Sequence, residues 1–244
     1  MIFSIADKLE NVRARIQKAT ISAHRPPDSV HLLAVSKTRS ASELIELMAS
    51  GQMHFGENYL NEALDKQQAL QALCEQQSKG EWLKAVTWHF IGPIQSNKTR
   101  AIAEHFDWVH SVDRIKVVQR LNDQRPAGLQ SLNCCIQVNV DEEDSKSGVL
   151  LTEVDQLAAA IETAQNLSLR GLMCIPRADQ DEQALRQSFL RMAEKFAELQ
   201  ATYASVDTLS MGMSADIEMA IECGSTLVRV GTALFGEREK TKAN

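Results

Sequence analysis

Eight short apolar runs recur along the chain, each followed by a stretch with helical spacing. No other feature constrains the fold as much. The runs at 32–35, 53–56, 86–91, 106–110, 132–140, 167–175, 206–209 and 226–230 read as strands. Helical stripes lie between them, such as Leu44, Ile45, Leu47 and Met48 before Gly51, or Leu185, Phe189, Met192, Phe196 and Leu199. The run Leu32-Leu-Ala-Val35 is apolar throughout, which suits a strand buried on both faces. Regular βα alternation implies a parallel sheet. Eight such units within 244 residues imply a closed (β/α)8 TIM barrel, with Ile5, Leu9, Val12, Ile16 and Ala19 marking an extra N-terminal helix. A doubly wound open sheet is the alternative. No Gly/Pro/Ser-rich linker divides the sequence, so residues 1–244 read as one domain, with 237–244 a polar, frayed tail.

Charge and cysteine usage narrow the function. The net charge is −6, from 26 basic against 32 acidic residues, so no general attraction to nucleic acid or membrane is expected. No apolar run approaches a membrane span, and the first eight residues lack the pattern of a secretion signal. The five cysteines are odd in number and none forms a C-x-x-C pair, which argues against a disulfide framework or a zinc site. A cytoplasmic protein is expected.

Under the barrel reading every strand points its carboxyl end at one face, where barrel enzymes do their chemistry. The first strand ends on Lys37, and Ser40 with Glu43 makes a capping box for the following helix. A lysine held there loses hydration, which lowers its pKa and frees its amine to form a Schiff base. A strand-end lysine reaching out to water is the plainer reading. The seventh strand leads into Ser210-Met-Gly-Met-Ser214, and the eighth into Arg229-Val-Gly231-Thr232. Backbone N–H groups at a helix start, with the hydroxyls of Ser214 and Thr232, make a site for a dianion such as phosphate. The alternative is that Ser214 is an N-cap and the glycines merely end strands. Ser96, and Ser111 or Asp113, are expected to cap two further helices. His54 and His89 are expected at strand ends, near a ligand or as core residues. Lys98, Lys146 and Arg177 are expected on mouth-side loops. The eighth strand neighbours the first in a closed barrel, so one ligand carrying an aldehyde and a phosphate would join the two sites. Pyridoxal phosphate (PLP) is one such ligand, and a sugar-phosphate aldolase substrate is another.

Six segments together resemble one family. They are Leu32-Leu-Ala-Val-Ser-Lys37, His54-Phe-Gly-Glu-Asn58, Trp88-His-Phe-Ile-Gly-Pro-Ile-Gln-Ser-Asn-Lys98, Gly171-Leu-Met173, Leu209-Ser-Met-Gly-Met-Ser-Ala-Asp216 and Val228-Arg-Val-Gly-Thr-Ala-Leu-Phe-Gly236. The sequence resembles the YggS/PROSC type of pyridoxal phosphate homeostasis proteins over nearly its whole length. That resemblance implies a barrel similar to the N-terminal domain of alanine racemase, with PLP as an internal aldimine on Lys37. It implies Arg229 on the pyridine nitrogen, Ser214, Gly231 and Thr232 on the phosphate, and Asn58 and Asn139 lining the ring or its hydroxyl. A guanidinium has no proton to take, so the ring nitrogen beside it stays unprotonated and the ring is a weaker electron sink. A racemase needs a proton carrier on each face of its substrate. Lys37 could serve one face, but the sequence ends shortly after the eighth strand, and its tyrosines are Tyr59 and Tyr203. The expected role is a monomeric protein of intracellular PLP homeostasis that holds and supplies PLP to apo-enzymes without robust catalysis. A PLP-dependent racemase is the alternative.

Overall fold

The computed structural model describes residues 4–143 and 146–237. Beyond Glu237, the tail read as frayed lies outside the described residues. Eight parallel strands close into one barrel in sequence order. They are β1 (His31–Val35), β2 (His54–Glu57), β3 (Thr87–Phe90), β4 (Trp108–Val112), β5 (Leu132–Val138), β6 (Leu167–Cys174), β7 (Thr208–Met213) and β8 (Leu227–Val230). Closure is made by β8 against β1, with Leu32 opposite Val228 and Leu33 opposite Arg229.

The helices are α1 (Ile5–Ser22), α2 (Ala41–Ala49), α3 (Leu60–Gln76), α4 (Gly80–Ala85), α5 (Thr99–His105), α6 (Ile115–Gln124), α7 (Val154–Glu162), α8 (Glu182–Thr202), α9 (Ile217–Glu222) and α10 (Thr232–Phe235). The Ser40–Glu43 capping box opens α2, and a matching Ser4–Asp7 box opens α1. The extra helix α1 packs beside α2, α9 and α10 on the outside of the barrel. Its Arg15 pairs with Glu218 at 2.8 Å and also donates to the Ser214 carbonyl at 3.2 Å. No helix among the described residues is long and apolar enough to cross a membrane.

Strand alternation sorts the side chains. Phe55, Leu209, Met211, Val228 and Val230 pack outward in the core between strands and helices. Their neighbours His54, Gly56, Ser210 and Arg229 therefore face the barrel interior. Leu33, Ile91 and Leu227, with Val35 against them, form a small apolar cluster of their own there.

Several boundaries differ from the sequence expectations. Helix α5 starts at Thr99 with Lys98 at its N-cap position, and the Ser96 carbonyl accepts from Thr99 Oγ1. Ser111 lies inside β4, and α6 follows Arg114 with no side-chain cap from Asp113. The seventh strand runs on to Met213, so Ser210 is interior to it and α9 begins only at Ile217. A register shift between Ser210 and Met213 and the positive φ of Gly212 (+94°) lengthen this edge of the barrel. A Cβ at Gly212 would lie 2.5 Å from that of Ala220, so only glycine lets α9 pack back so closely.

Candidate functional site

A cavity of about 320 Å³ opens at the carboxyl ends of the strands. Lys37, Asn58, Ser214, Arg229, Gly231 and Thr232 all line it, as do Val35, Ile91 and Ile175. The volume suits one small ligand with an apolar body and a few fixed polar contacts.

The turn carrying Lys37 is clamped on both sides. Ser36 before it donates through its hydroxyl to Glu57 Oε1 at 2.6 Å. Thr38 after it gives its backbone N–H to Glu62. Lys66 ties the clamp together, reaching Glu57 at 2.6 Å, Glu62 at 2.9 Å and the Ser36 carbonyl at 2.6 Å. Glu57 and Lys66 are both buried, and burial raises the Glu57 carboxyl above its usual range despite the lysine and Ser36. Thr38 is held at φ +63°, a left-handed conformation that costs a β-branched residue energy and persists only where surroundings enforce it. Lys37 therefore leaves the strand at an angle fixed by neighbours on β2 and α3.

Arg229 is buried, and burial pulls it down from its ordinary guanidinium value. Its Nη1 donates to the Ser210 carbonyl at 2.6 Å and to Ser210 Oγ at 2.8 Å, and Nη2 donates to the Cys174 carbonyl at 2.8 Å. Three oxygens of β6 and β7 thus hold a cation that starts on β8. Ser214 lies in the turn between β7 and α9, not at a helix N-cap, and Asp216 occupies the N-cap position. Gly231 comes close to β1, where a Cβ would lie 3.3 Å from the Val35 carbonyl oxygen. Asn58 follows β2 directly. A Cβ at Gly92 would lie 2.1 Å from its carbonyl oxygen, so the β3 turn seats Asn58 only because residue 92 is glycine. Asn58 Oδ1 is buried with no hydrogen-bond partner among the described residues.

Asn139 is placed elsewhere. It lines an adjoining cavity that shares Asn58, Ile91 and Ile175 with the first. Its side chain is closed on its own loop, with Nδ2 donating to the Glu143 carbonyl at 2.8 Å and Oδ1 accepting from the Glu143 N–H at 3.1 Å. Lys146 lines that same adjoining cavity. Lys98 and Arg177 bond to Asn61 and Asp179, outside the lining of the Lys37 cavity. His54 opens β2 at the opposite end of the barrel, and His89 is buried within β3, so neither stands at the mouth. Sequence reasoning missed Arg39, which lines the pocket and anchors to the Gly236 carbonyl at 2.6 Å. It placed Glu57 and Ser210 at strand ends but gave neither a role, and it gave none to Lys66.

The family model described as "Alanine racemase, N-terminal domain" matches residues 8–239. The pyridoxal phosphate homeostasis protein of Escherichia coli (strain K12) is 48% identical over 238 residues, spanning 98% of both chains. Its counterpart in Pseudomonas aeruginosa is 52% identical over 236 residues, spanning 97% of this chain and 96% of the relative. The chain belongs to the pyridoxal phosphate homeostasis protein family. Among solved structures, PipY of Synechococcus elongatus with PLP bound superposes with a TM-score of 0.75 at 36% identity, covering 96% of this chain and all of PipY. Membership covers the whole barrel from α1 to α10, so the pocket described above lies within the family's shared fold.

Proposed function

We propose that the chain binds pyridoxal 5'-phosphate in the Lys37 cavity and serves its homeostasis inside the cell, holding the cofactor and supplying it to apo-enzymes. One observation supports this most strongly. A primary amine, two hydroxyls, a buried guanidinium and a buried amide oxygen with no partner among the described residues line one cavity of ligand size. PLP carries a complementary group for each. Its aldehyde condenses reversibly with a primary amine, releasing water. Lys37 is the residue we assign to the covalent bond. Ser214, Thr232 and the backbone at Gly231 hold the phosphate, Arg229 meets the pyridine nitrogen, and Asn58 Oδ1 accepts a hydrogen from the ring hydroxyl or its surroundings. The chain is expected to act as a monomer in the cytoplasm, where its five cysteines, all buried thiols, stay reduced.

We assign a carrier role rather than turnover because of what lines the cavity. Besides Lys37 and the arginines Arg39 and Arg229, its described lining offers no titratable side chain. Tyr59 is 54% exposed and does not contribute to it. A second proton carrier for the opposite ligand face is therefore missing from the described lining. The match to the alanine racemase N-terminal domain keeps racemization as the second reading.

The test is spectroscopic and chemical. PLP added to the purified chain is expected to give a visible band, and borohydride followed by peptide mass analysis is expected to place the adduct on Lys37. A colourless mixture, or an adduct on another lysine, rejects the assignment. Deuterium entering Cα of alanine at enzymatic rates in deuterated water selects the racemase instead.

A further inference from the structure

Barrels of this architecture fill their interior mainly with branched apolar side chains. Here three histidines stand in series across it. His54 Nδ1 lies 3.0 Å from His89 Nε2, and His89 Nδ1 lies 2.9 Å from His110 Nε2. His110 Nδ1 lies 3.0 Å from the Ser210 hydroxyl, which Arg229 Nη1 contacts at 2.8 Å. The ends of the series differ. Arg229 lines the Lys37 cavity. His54 and His89 line a separate cavity of about 260 Å³ among the residues that open β1, β2, β4, β7 and β8, at the other end of the barrel.

Counting hydrogens gives the series a direction. A guanidinium only donates, so Ser210 Oγ accepts from Arg229. The Ser210 hydrogen then goes to His110 Nδ1, which must be a lone pair. His110 carries its hydrogen on Nε2 and donates to His89, and His89 by the same step donates to His54. The reverse order would leave the hydroxyl hydrogen of the fully buried Ser210 with no acceptor among its described contacts, which is costly. Burial and the nearby Arg229 push His110 down to about 3, and burial with the flanking rings takes His89 well below the usual histidine range. Both rings are neutral at neutral pH, as the series requires.

We propose that His54, His89 and His110 are positioning residues that hold the Ser210 hydroxyl as an acceptor for Arg229 and so fix the guanidinium at the ligand pocket. This rests on the reading of Arg229 as the group that meets bound PLP. His54, the exposed end, is where the series meets solvent. Around it stand His31 from β1, Asp107 ahead of β4, Arg170 from β6 and Asp207 ahead of β7. At the far end Arg229 faces Asp216, Cys174 and Cys135. A proton on His54 Nδ1 sets two donors against each other across 3.0 Å. That contact opens, His89 loses its acceptor, and the hold on Arg229 loosens as pH falls. A purely structural network would stabilise the barrel without transmitting this change.

Two measurements decide it. The first is ¹⁵N NMR of the PLP-free chain, which reads ring tautomers directly. His89 and His110 are expected to be neutral with hydrogen on Nε2 from about pH 8 to about pH 6. A hydrogen on His110 Nδ1 overturns the relay. The second is the absorption band and affinity of the PLP-loaded chain across the same range and down to about pH 5. Wild type is expected to show an acid-side step in both. His54→Asn sets an amide oxygen near the place of Nδ1 and cannot titrate, so the step is expected to vanish. His110→Phe is expected to shift the band at every pH and weaken affinity about tenfold. A step that survives in His54→Asn overturns the relay, as does an unchanged band in a folded His110→Phe. A chain that takes up no PLP rejects the proposed function instead, and the NMR result then decides the relay alone.

Discussion

Ser214, in the turn after β7, and Thr232, the first residue of α10, both line the cavity, so in the proposed complex the phosphate would be shared between hydroxyls that sit 18 positions apart in sequence. Ser214→Ala is expected to weaken PLP affinity about tenfold, the worth of one charge-assisted hydrogen bond. Equilibrium dialysis against wild type measures this. The melting temperature should not change, because Ser214 caps no helix. Lys37, Arg229 and Thr232 were legible in the sequence because each ends or follows an apolar strand, where a polar residue stands out. Asn139 shares that signature, yet its amide is closed on the Glu143 backbone, and strand-end position cannot reveal such a local bond. The left-handed backbone at Thr38 was also hidden, since a β-branched residue gives no hint of it.

At the scale of elements, the clamp from β2 and α3 carries the Lys37 turn. Lys66→Met strands the buried Glu57 carboxylate without its cation, and breaking such a pair is expected to cost about 3–5 kcal/mol. Urea unfolding measures the loss, and Lys66→Met combined with Glu57→Gln should recover part of it. This pair was invisible in the sequence because Glu57 reads as an ordinary acidic residue in a helix first turn. The structure instead makes it the last residue of β2. The end of β7 was misplaced for a related reason. Ser210-Met-Gly-Met reads as a loop by composition, whereas pairing with β8 keeps it extended through Met213. The strand order was readable throughout, since apolar runs separated by helical stripes leave few ways to bury both.

The whole molecule encloses ionisable rings, and that makes its stability depend on pH. A histidine in the unfolded chain takes a proton near 6.5, while His110 in the barrel resists down to about 3. Between those values the unfolded state binds more protons, so stability is full above the upper value and falls as pH drops toward the lower one. At about pH 5 the loss from His110 alone is expected to be roughly 2 kcal/mol, read from urea midpoints at neutral and acid pH. The outer helix α1 adds a different link between surface and pocket. Its Arg15 grips both Glu218 and the carbonyl of Ser214 from a partly exposed position. Dissolved ions screen exposed charge pairs of this kind far more than the buried ones. The turn that carries Ser214, which the proposed function gives to the ligand's anionic end, is therefore moored from outside the barrel, by a tether that brine would slacken while the lysine clamp stayed taut.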